Sequence, residues 1–76
     1  MDKNTKKELQ INIKLLEQEV DLIVLQIARL ETEKLRIKDT EVLAALQTNI
    51  QLYYNRLNFV EQRISLIKYM LGEEIP

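Results

Sequence analysis

Two arginines one heptad apart, Arg56 and Arg63, are the residues of this chain best suited to gripping an anion. A guanidinium presents a planar fork of N–H donors that matches a phosphate or carboxylate two bonds at a time. Tyr53 stands three residues before Arg56, and an aromatic face suits stacking on a base. A small nucleotide is the ligand that such a set would take. The same residues also have a structural use. Charged groups beside an apolar helical seam form ion pairs that set register and partner orientation. Glu19 supplies a carboxylate for that use, and the structural account is the preferred one.

Other chemistry is sparse. The chain has no cysteine and no histidine, which removes disulfides, thiolate and imidazole metal ligands, and Cys or His catalysis. Glu17-x-Glu19-x-Asp21 and Glu31-x-Glu33 are acidic, but alternate residues of a helix point about 200° apart. Only Glu17 and Asp21 share a face, so a solvated acidic surface is expected rather than a metal cluster. No phosphate-binding glycine loop or nucleophile–base pattern occurs. Neither an enzyme nor a cofactor is expected.

The 11 basic and 12 acidic residues leave a net charge of −1, without the basic excess of nucleic-acid binders. Lys3, Lys6 and Lys7 form the basic cluster of the chain, and Glu73 and Glu74 are expected at the same end to neutralise it. Nucleic acid is therefore not expected as a partner beyond a weak regulatory contact. The longest apolar run, Val42 to Leu46, is far too short to cross a bilayer. Met1 to Thr5 are not followed by an apolar stretch of signal-peptide length. No membrane partner is expected, and the cytoplasm is the expected location.

These side chains must be positioned by helices. Hydrophobic residues make up 46% and charged residues 30% of the chain, with one Gly and one Pro, both near its end. That composition suits amphipathic helices and leaves too few turn residues for a β fold. Leu9, Ile13, Leu16, Val20, Ile23, Ile27, Leu30 and Ile37 form one seam of alternating four and three spacing, broken by Lys34. A second runs Leu43, Leu46, Ile50, Tyr53, Leu57, Val60, Ile64, Ile67 and Leu71. The two are out of phase. Continuing the first register would put Glu41, Ala44, Thr48, Gln51, Asn55, Asn58, Gln62 and Ser65 in the core, nearly all of them polar, and a two-residue slip is not a usual coiled-coil discontinuity.

The chain must therefore turn back, and a turn near 38–41 is predicted. Asp39-Thr40-Glu41 offers an N-cap and an acidic first turn for the second helix. Thr5 and Glu8 match a capping box for the first, and Gly72 suits a left-handed C-terminal residue. The fold class is thus all-α: one domain over residues 1–76, an antiparallel hairpin with helices over about 6–38 and 40–71, and short frayed ends at 1–4 and 73–76. Pairing Leu9 with Leu71 sets Leu16 against Ile64, Val20 against Val60, Ile23 against Leu57 and Ile27 against Tyr53. In that register Glu19 is expected near Arg63 and Gln26 near Arg56. Tyr53 reads as core, and Tyr54 as rim packing on Val24.

With Ile13 and Leu43 labelled heptad position a, a second apolar surface emerges. Leu15 and Leu22 fall at c of the first helix, and Leu52, Phe59 and Leu66 at c of the second. Leu25 and Met70 lie beside them. Glu17, Asp21, Gln47, Gln51, Asn58 and Glu61 mark the opposite, polar side. A lone hairpin would leave the apolar side wet, and so short a chain normally needs more burial than one seam provides. Self-association through Leu15, Leu22, Leu25, Leu52, Phe59, Leu66 and Met70 is expected, most simply as a dimeric four-helix bundle.

In shape, the arrangement resembles small hairpin regulators that dimerise into four-helix bundles, and also the small helical nucleotide-sequestering proteins of phages. The likeness covers the whole chain without a shared motif, so it assigns no residue a role. Two functional expectations follow. The first is a non-enzymatic oligomeric adaptor, regulator or inhibitor that binds another macromolecule, with an unidentified protein as its partner. The alternative is a nucleotide-binding module with an anion site at a subunit junction, built from Arg56, Arg63, Glu19 and Tyr53.

Overall fold

The computed structural model describes residues 2–72. Two helices, α1 (Lys3–Lys34) and α2 (Thr40–Leu71), run antiparallel and pack along their length. The hairpin measures 56 × 18 × 16 Å. No described helix is long and apolar enough to cross a membrane.

The start of α1 differs from the Thr5–Glu8 capping box. Asp2 is the N-cap, and its carboxylate accepts the Thr5 backbone N–H at 2.8 Å. The helix therefore begins three residues earlier than the periodicity alone suggests, and Lys3 and Asn4 are helical rather than frayed. The cause is local. An aspartate satisfies a free N–H and places negative charge at the positive end of the helix dipole. Hydrogen bonds from the Thr5 backbone, and then from its side chain, hold the Asp2 carboxyl below its usual pKa of 3.8.

The other end of α1 also comes early. The helix stops at Lys34, four residues short of expectation, and the turn occupies 35–39 rather than 38–41. Leu35 and Arg36 donate to the carbonyls of Thr32 and Glu33, at 3.2 and 3.0 Å. These tighter bonds use carbonyls that an ending helix would otherwise leave free. An antiparallel partner lies about 8–10 Å away, which the five residues 35–39 span without being fully extended. Ile37 remains half-buried although it is outside the helix.

The second helix matches its expected bounds. Asp39 accepts the N–H groups of Glu41 and Val42 at 2.9 and 3.2 Å. At the far end Gly72 adopts φ +76°, and its N–H reaches back to the Tyr69 carbonyl at 3.0 Å. That left-handed conformation is strained for any residue with a Cβ. Glu73 and Glu74, expected to offset the lysines of the first turn, lie outside the described residues.

The two seams meet as expected, with one exception. Ile13, Ile23, Ile27, Ile50, Val60 and Ile67 are buried, and Val60 is the deepest at 1% exposure. Leu16, Val20, Leu57 and Ile64 pack around Ile23, Ile27 and Val60. Tyr53 is the exception, being 36% exposed rather than core. A tyrosine is long and amphipathic, and its hydroxyl needs a hydrogen-bond partner when buried. Among the described residues it has none, so the ring stays at the edge. Tyr54 and Val24 are both exposed too, and Tyr54 covers little of the seam.

Val60→Ala removes two carbons from the most buried site and should cost about 2 kcal/mol, measured by chemical denaturation at fixed protein concentration. Asp39→Ala, which removes only a cap, should cost about 1 kcal/mol; equal costs would show that Val60 is not the centre of the seam. For Asp2 the sign follows from its lowered pKa. Its stabilisation is complete above pH 3.8 and is lost as pH falls through the lower folded-state value. In acid titrations followed by circular dichroism, Asp2→Asn should lack the part of the wild-type helix loss that begins below pH 3.8.

Candidate protein interface

One broad face of the hairpin combines both apolar stripes with the candidate charged residues. Leu15 and Leu22 of α1 and Leu52, Phe59 and Leu66 of α2 are all more than half exposed. A shallow groove on this face is lined by Asn12, Leu15 and Leu16 of α1 and by Arg63 and Ile67 of α2. A second depression runs along α2 between Phe59, Gln62, Arg63 and Leu66. Leu25 borders Leu22 on the outer side of α1, beside Gln26 and Arg29. Met70, 48% exposed, extends the apolar stretch towards the chain ends.

The opposite side is polar. Its groove is lined by Glu17, Asp21, Glu61 and Ser65, with Val20 and Ile64 at its floor. The contrast follows from phase. In an antiparallel pair the two g positions meet on one side and the two e positions on the other. Here the c residues next to g are Leu or Phe at five positions, whereas the b residues next to e include Lys14, Asp21, Gln51 and Asn58 and, within the helices, nothing larger than alanine that is apolar.

The ion pair across the apolar face is not the one that simple register gives. Glu19 is bonded to Arg56, not to Arg63. The Arg56 Nε and Nη2 both donate to one oxygen of Glu19, Oε1, at 3.1 and 2.6 Å. Arg63 makes no ion pair among the described residues, and Gln26 makes no hydrogen bond to Arg56 there. The reason lies three residues along α2. The Arg56 guanidinium sits 5.7 Å from the centroid of the Phe59 ring. A cation is attracted to the negative face of an aromatic ring, so the ring draws the arginine towards the C-terminus of α2. That direction is towards the height of Glu19.

Phe59 thus has two roles, of which the c stripe reveals one. Its ring is apolar surface and also the rest for a charged group. The i, i+3 spacing of Arg56 and Phe59 is the signal that could have disclosed the second role. The pair itself stays wet, with side-chain exposures of 54% for Arg56 and 34% for Glu19. Such a pair contributes roughly 0–1 kcal/mol.

The four residues of the candidate anion site are not gathered into one pocket. Arg63 lies seven residues from Arg56 and ten from Tyr53, which on a helix is about 10 and 15 Å of rise. Arg56 is already neutralised by Glu19. Among the described residues, no group of three or more His, Cys, Asp or Glu side chains comes together as a metal site would require. What the face offers is area. It is an apolar strip with one internal ion pair, and Arg63 at its edge has no ion pair among the described residues.

Phe59→Leu retains most of the apolar area but removes the ring. It should cost about 0.5–1 kcal/mol beyond the difference in burial. It should also remove the distinct Arg56 Nε–H resonance from nitrogen–proton NMR spectra. An unchanged resonance would mean that the ring does not hold the guanidinium. Comparison of the chain with protein-family models, curated proteins and solved structures finds no match in any of the three.

Proposed function

We propose that this chain is a non-enzymatic interaction protein whose working form is a homo-oligomer, most simply a dimeric four-helix bundle, and that it acts as a small adaptor, regulator or inhibitor by binding another macromolecule. The observation that carries the reading is the uncovered apolar face. Five leucine or phenylalanine side chains in two parallel stripes stay more than half exposed, while the seam buries six of the described residues. Contiguous apolar surface of that kind marks an interaction site.

Surface area gives the same indication. The chain exposes 6140 Å², whereas a compact monomer of its mass, 9.0 kDa, would expose about 4,900 Å². The radius of gyration is 16.9 Å, against about 11 Å for a compact domain of this length. An isolated pair of helices is a rod with little interior. Burial against a partner is the ordinary remedy.

The nucleotide reading has less support. It needs two free cations close to an aromatic face, but Arg56 is occupied by Glu19 and Tyr53 is about three helical turns from Arg63. Low-micromolar nucleotides should therefore leave the melting temperature of the purified protein unchanged. A rise of several degrees would favour a nucleotide site over a protein one.

Phe59→Asp tests the leading reading, because it places a charge in the middle of the apolar face. Burying that charge without a partner would cost several kcal/mol. Native mass spectrometry and sedimentation equilibrium should report an oligomer for the wild type and a monomer, or an unfolded chain, for the variant. Retention of the full oligomeric mass at wild-type stability would show that the face is not an assembly surface.

A further inference from the structure

We infer that the occupant of the apolar face is a second copy of this chain lying in the same direction, with both connections at one end, and that Arg63 of each copy pairs with Glu19 of the other. The inference rests on the self-association proposed above and specifies its geometry. Two-fold symmetry allows two ways of facing the strips. With the axis along the hairpin, α1 packs on the partner's α2 and residues of equal height meet. With the axis across it, like helices pack on each other and heights are reversed.

Height can be read from the core. Leu16, Val20 and Ile23 share one cluster with Ile64, Val60 and Leu57, so residues whose numbers total 80 lie level. On the lengthwise axis Leu15 meets Leu66, and Leu22 meets Phe59, each within one residue or about 1.5 Å. Glu19 then lies two residues, about 3 Å in height, from Arg63 across the junction. The crosswise axis can keep apolar contacts, with Phe59 on Phe59 and Leu52 on Leu66, but it does not join the charges. Centred on Phe59, it sets Glu19 against Leu22 and Ile23 of the partner and Arg63 against Asn55. Centred on Glu19, it brings two like charges together.

The unused hydrogen-bonding capacity agrees with the lengthwise choice. Both bonds from Arg56 fall on the Oε1 atom of Glu19, which leaves Oε2 without a partner among the described residues. Arg63, beside Leu15 and Leu16, also has no acid partner among the described residues. Pairing them across the junction would leave each Glu19 held by two arginines, one from each copy.

The chain has no cysteine, so Lys38→Cys attaches a single spin label at the exposed connection without touching the face. Dipolar spectroscopy on the full chain should give a distance between labels of roughly 15–30 Å for the lengthwise dimer. The crosswise dimer would give about 50 Å, which would overturn the arrangement while leaving self-association intact. So would a mass above two copies. A monomeric mass with no dipolar signal would defeat the self-association reading as well. Arg63→Gln should weaken the dimer on the order of tenfold through its two symmetric pairs, and adding Glu19→Gln to that variant should weaken it little further. An unchanged dissociation constant for Arg63→Gln would overturn the proposed pairing.

Discussion

Interlocking of Val60 with Ile23 and Ile27 is the contact on which the rest of this hairpin depends. Two helices with seams of three-four spacing can slide past each other by whole heptads while keeping apolar residues in register. A deeply buried branched side chain between two isoleucines makes such a slide costly, because every shift leaves a cavity or an overlap. Once that layer is set, every other height follows. Arg56 comes within reach of Glu19 only at this register. Leu15 is level with Leu66 and Leu22 with Phe59 for the same reason. The polar pattern of the surface therefore follows from a decision made in the core.

Much of this was legible in the residues themselves. The phase break between Ile37 and Leu43 required a reversal, and Asp39 and Gly72 marked the ends of α2 because each meets a local hydrogen-bonding need that no neighbour meets. The boundaries of α1 were less legible. Asp2 competes with Thr5 as a cap, and spacing cannot choose between them when both precede the first apolar residue. Ile37 continues the period of the first seam although it is not helical. A periodic position records burial, and a half-buried residue in a link satisfies it as well as one in a helix.

The face and its ion pair divide in the same way. The c stripes were legible because heptad phase alone determines them. The choice of Glu19 by Arg56 was not, since register sets Glu19 beside Arg63 and the final selection lies with side-chain torsions. The Phe59 ring makes that selection through a weak attraction that no periodicity encodes. Tyr53 illustrates the converse. Its position says core, but its hydroxyl and length keep it at the edge. Heptad position predicts where a side chain begins, and chemistry decides where it ends.

The reversal between the helices uses no left-handed residue. Gly72 alone among the described residues has a positive φ, and the link from 35 to 39 contains no glycine. A turn built from ordinary backbone makes no demand on residue type at most of its positions. Lengthening it is also inexpensive, since each doubling of a flexible loop costs only about 0.6 kcal/mol. Leu35, 85% exposed at the start of the link, contributes almost nothing to the seam. Related chains are therefore free to diverge fastest here, in sequence and in length, while their helices keep the same spacing. Kinship in such a lineage would be traceable through heptad phase and the two capping aspartates long after the residues between the helices had ceased to align.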